Sequence, residues 1–168
     1  MVRVLVGYAT RAGSTAEVAG IIADELRARG CDVDVRDLRD DPDPAGFGLY
    51  VLGSAIQTMT WLPEALDWLR KHGQQVGRAA LFNVSITAVD PTKNDEALRC
   101  NKAAAELVEA TSQAAFAGRY APEKVGFLKR LLFWVLAKKP GDHVDPPVIR
   151  AWARALTLDP AAPPGSAG

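Results

Sequence analysis

The chain alternates short β-branched apolar runs with stretches of helical periodicity, and few architectures accept that alternation. Val2–Tyr8 (VRVLVGY) is short and mostly apolar, the pattern of a buried strand. Ser14–Arg29 then places Val18, Ile21, Ile22 and Leu26 at helical spacing, and Gly30 ends the helix. Cys31–Leu38 alternates Val33 and Val35 with Asp32, Asp34 and Arg36, which predicts a half-exposed strand, and DDPDPAG after it reads as a loop. Phe47–Leu52 is the next predicted strand, Pro63–His72 a helix with proline in its first turn, and Ala79–Val84 a strand. Glu96–Ser112 is predicted as one long alanine-rich helix, Ala114–Gly118 as a fifth strand and Pro147–Leu158 as a last helix. Strand and helix in strict alternation imply a parallel sheet covered by helices on both faces. Ligands of such sheets bind at the carboxyl ends of the strands, where the strand order reverses. The loops to inspect are therefore Ala9–Ser14, Ser54–Pro63, Ser85–Asp95 and the segment from Arg119 onward.

Composition narrows the function classes. At 168 residues, 48% hydrophobic and 24% charged, the chain fits one domain over 1–158, followed by a disordered tail at 159–168 (DPAAPPGSAG begins at Asp159). Twenty basic residues balance twenty acidic ones, so no net field favours nucleic acid. Cys31 and Cys100 have no metal-type spacing, and no signal peptide precedes the first strand, which sets a reducing cytoplasm as the expected compartment. No apolar run approaches the roughly 20 residues of a membrane-spanning helix. His72 and His143 lack a second ligand at metal spacing, so no metal site is expected. His72, beside Gly73, reads as a side chain bonding the last carbonyls of its helix, and Cys100 as a small packing residue.

The first loop carries the most chemistry. In TRAGST, Thr10, Ser14 and Thr15 supply hydroxyls, Arg11 a charge, and Gly13 room for close backbone approach. At the start of a helix, such a loop aims backbone N–H groups and a partial positive charge at one spot, a place for a phosphate. The competing reading is a helix cap made by Ser14 or Thr15. The loop matches neither GxGxxG nor GxxxxGK[ST]. A phospho-accepting receiver domain needs acidic residues after the first strand and an Asp after the third, and this chain has Tyr8-Ala9-Thr10 and Gly53-Ser54 there.

TRAGST resembles the T-x-T-G-x-T phosphate loop of flavodoxins, and the likeness extends through VLGSAIQTMTW and FNVSITAVDP over approximately the first 120 residues. Ala12 departs from the pattern by removing one hydroxyl. GSAIQ, VSITAVDP and AGRY followed by an apolar helix are similar more specifically to the bacterial flavodoxin-type, quinone-dependent protoporphyrinogen dehydrogenases. The resemblance implies an α/β doubly wound five-stranded parallel sheet in the order 2-1-3-4-5, with flavin mononucleotide (FMN) as cofactor. Its phosphate would lie on Thr10, Arg11, Ala12, Gly13, Ser14 and Thr15. Its ring would lie near Ser54, Ala55, Ile56, Gln57, Thr58 and Trp61, with Asn83, Ser85 and Thr87 behind, and Asp90 within reach of ring or substrate. Trp61 is the aromatic side chain suited to stack on the ring, or else a core residue at the helix entry.

The chain departs from a plain flavodoxin at 123–139, an inserted segment whose Val125–Ala137 stretch is helical in pattern. Phe127, Leu128, Leu131, Leu132, Trp134, Val135 and Leu136 cover more than half of that helical wheel, with Lys124, Lys129, Arg130, Lys138 and Lys139 flanking them. Such a helix needs a partner: a membrane surface, an apolar ligand, its own sheet or a second copy of the chain. Three functions follow: an FMN oxidoreductase passing electrons from a hydrophobic donor to quinone, a flavodoxin-type electron carrier, or a flavodoxin-fold binding protein without FMN. No catalytic acid or base can be assigned from the sequence.

Overall fold

The computed structural model describes residues 1–118 and 143–158. The inserted helix expected over 123–139 and the tail 159–168 lie outside the described residues. In chain order the elements are β1 (Arg3–Ala9), α1 (Ser14–Ala28), β2 (Asp32–Asp37), β3 (Leu49–Gln57), β4 (Thr60–Trp61) and α2 (Pro63–Val76). They continue with β5 (Arg78–Ser85), α3 (Asn94–Arg99), α4 (Lys102–Ala105), β6 (Glu109–Ala117) and α5 (Pro146–Ala155). The parallel sheet runs β2-β1-β3-β5-β6, the order 2-1-3-4-5 of its five parallel strands, and the short β4 folds back antiparallel on β3.

The continuous apolar character of β1 follows from burial on both faces. Val4 and Val6 pack with Val18, Ile22 and Leu26 of α1 and with Ile149 and Ala153 of α5. Leu5 and Ala9 face the other way, into Leu62, Leu66, Leu69 and Ala104. A buried Leu, Ile or Val contributes roughly 1.5–3 kcal/mol, so the two cores fix which residues of each strand face which helices. Helix α5 docks through Trp152, whose ring lies 5.6 Å from Phe116 and 6.2 Å from Phe82 and whose Nε1–H donates to Ser112 Oγ at 3.0 Å. Arg29 closes that helix by donating to the carbonyls of Ala153 and Leu156, each at 2.9 Å.

Three sequence expectations need correction. The helix expected over Glu96–Ser112 is instead two short helices, and the strand begins at Glu109, five residues before the predicted Ala114. Alanine favours a helix locally, but Glu109 to Ser112 pairs in parallel with Arg78 to Ala80, and that pairing wins. Strand β3 runs on to Gln57 because it folds into the β4 hairpin, where the sequence predicts a loop. His72 does not cap a helix end. Helix α2 continues to Val76 and closes on Gly77 at φ 68°, while His72 Nε2 meets Asp41 Oδ1 at 2.8 Å.

Gly53 marks the tightest approach within the sheet. A Cβ placed there would lie 2.2 Å from Phe82 Cζ, inside the ring's van der Waals radius. Gly53→Ala is expected to cost about 1–3 kcal/mol in urea denaturation through forced repacking. Phe82→Leu in the same chain should recover part of that loss, because it removes the ring the new methyl strikes.

Candidate functional site

The parallel register brings the carboxyl ends of four strands level. Ala9 pairs with Ser54, Ser54 with Asn83, and Asn83 with Ala115, so the chain leaves β1, β3, β5 and β6 along one edge. The order reverses between β1 and β3, and their loops flank that point. Gly118 belongs to the same edge: a Cβ there would lie 2.7 Å from Val84 Cγ1 and 3.0 Å from Ser14 Oγ.

The first loop is shaped by Thr10 and Gly13. Thr10 Oγ1 accepts the Gly13 N–H at 2.9 Å, and Gly13 sits at φ 92° with nothing among the described residues within 4 Å of where its Cβ would stand. The loop therefore turns sharply and enters α1, and the described residues leave space at the turn. Among the described residues no side chain caps α1, which answers the capping alternative: neither Ser14 nor Thr15 serves as the cap. The first-turn N–H groups of Ser14, Thr15 and Ala16 are those an α-helix leaves without intrahelical acceptors. Thr15 Oγ1 is fully buried and has no hydrogen-bond partner among the described residues. An orphaned buried hydroxyl costs roughly 1–3 kcal/mol, and an anion at the head of α1 would relieve it. The residues present thus fit a phosphate group. Ala12 is exposed in the loop and contributes only backbone.

Arg11 reaches across to the second loop, where its guanidinium forms a bidentate pair with Glu64 in the first turn of α2. That hydrogen bonding holds the Glu64 carboxyl below the usual carboxylate range, against the opposing effect of partial burial.

The second loop is a hairpin. Ile56 pairs with Trp61 and Gln57 with Thr60, leaving Thr58 and Met59 at the turn with φ 54° and 62°. Two consecutive left-handed residues suit the right-handed strand twist but cost energy without glycine. Ser54 Oγ is committed internally, accepting Leu62 N–H at 2.9 Å and donating to Ala55 O at 2.7 Å. Ala55 and Ile56 are partly exposed, while Gln57 and Thr58 are exposed.

Two expected ring contacts are corrected by burial. Trp61 is 0% exposed, packed in the core, and its Nε1–H donates to Asn101 Oδ1 at 2.8 Å, so its ring offers no face for stacking. Asn83 is equally buried and donates to Ala97 O at 2.9 Å and Asn101 Oδ1 at 3.0 Å. In the third loop Ser85 Oγ accepts the Ala88 N–H at 3.3 Å, and Thr87 begins a single 3-10 turn, Thr87–Val89. Asp90 opens the next turn, Pro91–Lys93, its Oδ1 accepting from Thr92 N–H and Oγ1–H, and those bonds hold its carboxyl below the usual range.

The structure adds residues to those the sequence predicts. Met59, Ile86 and Val89, exposed at 52%, 71% and 40%, place apolar side chains on the second and third loops. An apolar residue inside an otherwise polar loop was the available signal. Glu64 and Asn101 had no local signal, because their partners are distant in sequence.

The flavodoxin domain family model matches residues 5–146. The chain belongs to that family. Among curated proteins it is similar to protoporphyrinogen IX dehydrogenase [quinone] of Escherichia coli, at 25% identity over 95 residues. That match takes in 54% of this chain and 52% of the relative, so the chain spans about half the length of the curated relatives it matches. Oxidised flavodoxin 1 of Bacillus cereus superposes with a TM-score of 0.53 at 19% identity, covering 79% of this chain and 95% of that one. A Fusobacterium nucleatum flavodoxin bound to flavin mononucleotide gives 0.53 at 13% identity, covering 81% and 96%. Among the described residues, no helix is long and apolar enough to cross a membrane.

The Arg11–Glu64 pair predicts a pH dependence. A carboxyl whose folded pKa is lowered adds stability at pH values above its ordinary range and loses that contribution as the pH falls through the lowered value. Arg11 is half exposed, so the pair is worth about 1 kcal/mol or less. Glu64→Gln should melt below the parent at neutral pH, and the difference should close in acid; a gap that persists there would assign the loss to packing.

Proposed function

We propose that this chain binds FMN at the carboxyl edge of its sheet and works as an oxidoreductase, passing electrons between a hydrophobic donor and a quinone. The observation that carries the reading is Thr15, whose buried hydroxyl has no partner among the described residues and stands at a head of α1 that none of their side chains caps. The N–H groups of Ser14 to Ala16 and the hydroxyls of Thr10, Ser14 and Thr15 would hold the phosphate, and the open turn at Gly13 would admit it. FMN, when bound, supplies a ring that exchanges one or two electrons, hydride equivalents included. The ring-side loops, 54–60 and 85–89, would border it through their backbone and through Met59, Ile86 and Val89. With Trp61 in the core, these aliphatic and thioether side chains take the place of an aromatic shelf.

The apolar character of those loops supports an apolar exchange partner over a docking protein recognised by charge, as does a net charge of zero. The relative from Escherichia coli, named for protoporphyrinogen IX and quinone, supports the same class.

The test compares FMN with riboflavin, which lacks the phosphate. Thr15→Val keeps the shape and removes the hydroxyl, so FMN should bind roughly ten- to a hundredfold more weakly, the worth of a hydrogen bond to a charged group, with riboflavin unchanged. The same substitution removes a buried donor that has no partner among the described residues, so the flavin-free variant should be as stable as the parent or about 1 kcal/mol more stable. Equal weakening of both flavins, or a parent that takes up no FMN, would overturn the reading. Oxidation of protoporphyrinogen IX with a soluble quinone as acceptor then separates the enzyme from a carrier.

A further inference from the structure

Five polar side chains are buried among the described residues: Thr15, Ser54, Asn83, Ser85 and Asn101. Four of them lie in the first turn of α1 or in the carboxyl-terminal halves of β3 and β5. Asn101 is different, since it lies between α3 and α4, away from every loop of the site in sequence. Its side-chain amide is nevertheless the junction of that edge. Asn101 Oδ1 accepts Trp61 Nε1–H at 2.8 Å and Asn83 Nδ2–H at 3.0 Å, and Asn101 Nδ2 donates to Ala114 O of β6 at 3.4 Å. Asn83 in turn donates to Ala97 O at 2.9 Å, on the helix that follows the third loop.

We infer that Asn101 is a positioning residue that fixes the two ring-side loops relative to each other. The hairpin Ile56–Trp61 is held by only two residue pairs and turns through two left-handed residues without glycine, a combination that is marginal by itself. What secures its return strand is the buried Trp61 indole and the hydrogen bond it gives to Asn101, with Leu62 N–H on Ser54 Oγ beside it. The third loop, 86–93, is pinned at its two ends by the same network, through Asn83 at the end of β5 and Ala97 in α3. One amide oxygen thus ties the segment that carries Met59 to the segment that carries Ile86 and Val89. A polar group at this depth is tolerated because both of its atoms are engaged, and removing it would leave two donors, Trp61 Nε1–H and Asn83 Nδ2–H, short of an acceptor.

This inference rests on the flavin reading for its functional meaning, but its structural part can be measured without flavin. In the flavin-free protein, amide hydrogen exchange of 56–60 and 86–93 should rise at least tenfold in Asn101→Leu, with the exchange of β1 unchanged. Trp61→Phe removes one donor and leaves Asn101 in place, so it should speed exchange in 56–60 and leave 86–93 as in the parent. With flavin present, Asn101→Leu should weaken FMN and riboflavin by the same factor, about tenfold, and shift the visible spectrum of what remains bound. That equality distinguishes positioning of the ring-side loops from damage to the phosphate loop, where only FMN would suffer. Unchanged exchange in both segments of Asn101→Leu, or a loss confined to FMN, would overturn the proposal. If Asn101→Leu does not fold, Trp61→Phe decides, and unchanged exchange at 56–60 overturns it. A parent that binds neither flavin defeats the functional reading, while the exchange measurements still judge the role of Asn101.

Discussion

The level row Ala9, Ser54, Asn83 and Ala115 is the constraint on which the rest of the structure depends. Strands β1, β3 and β5 carry apolar side chains into both cores, so a shift of one residue would turn each strand's side chains to the wrong helices. Phe82 against the bare Cα of Gly53 adds a local stop, since only glycine leaves room for the ring. With register fixed this way, the loops after β1, β3 and β5 leave the sheet side by side. Their chemistry can combine although they are far apart in sequence.

Apolar burial stabilises the body of the sheet, while its carboxyl edge holds polar groups at some cost. Ser54, Ser85 and Asn101 are hydrogen bonded and serve to shape loops. Thr15 Oγ1 and Asn83 Oδ1 are buried without partners among the described residues. Each such group works against stability by roughly 1–3 kcal/mol, and both occur at the one edge where a ligand would sit. The left-handed pair Thr58 and Met59 adds strain at the same edge. Two well-packed cores can carry this load, and the unfavourable features gather at one end of the sheet rather than spreading through it.

Electrostatics at this edge is short in range. The chain has no net charge to steer an anion from a distance, and the Arg11 guanidinium is held by Glu64 rather than free in the loop. Under the proposed reading, attraction for a phosphate would rest on the helix terminus and on hydroxyl and N–H donors, which act at short range and select for shape as well as charge. The pair Arg11–Glu64 joins the loop after β1 to the helix after β3, so the two sides of the switch point are tied by an ion pair as well as by the sheet.

The sequence alone determined the fold class and the place of the first loop. Apolar alternation is a property of neighbouring residues, and TRAGST carries its hydroxyls and glycine within a single turn, so no distant contact is needed to read either. The elements whose character depends on a partner were not legible there. Glu109 to Ser112 reads as helix until it is paired with β5, and the β4 hairpin exists because Trp61 finds a buried place against residues from α2 and α4. Whether an aromatic side chain next to a binding loop faces the ligand or the core depends on which side has room and a hydrogen-bond acceptor. For Trp61 the acceptor is Asn101, forty residues along the chain, and only the tertiary structure brings the two together.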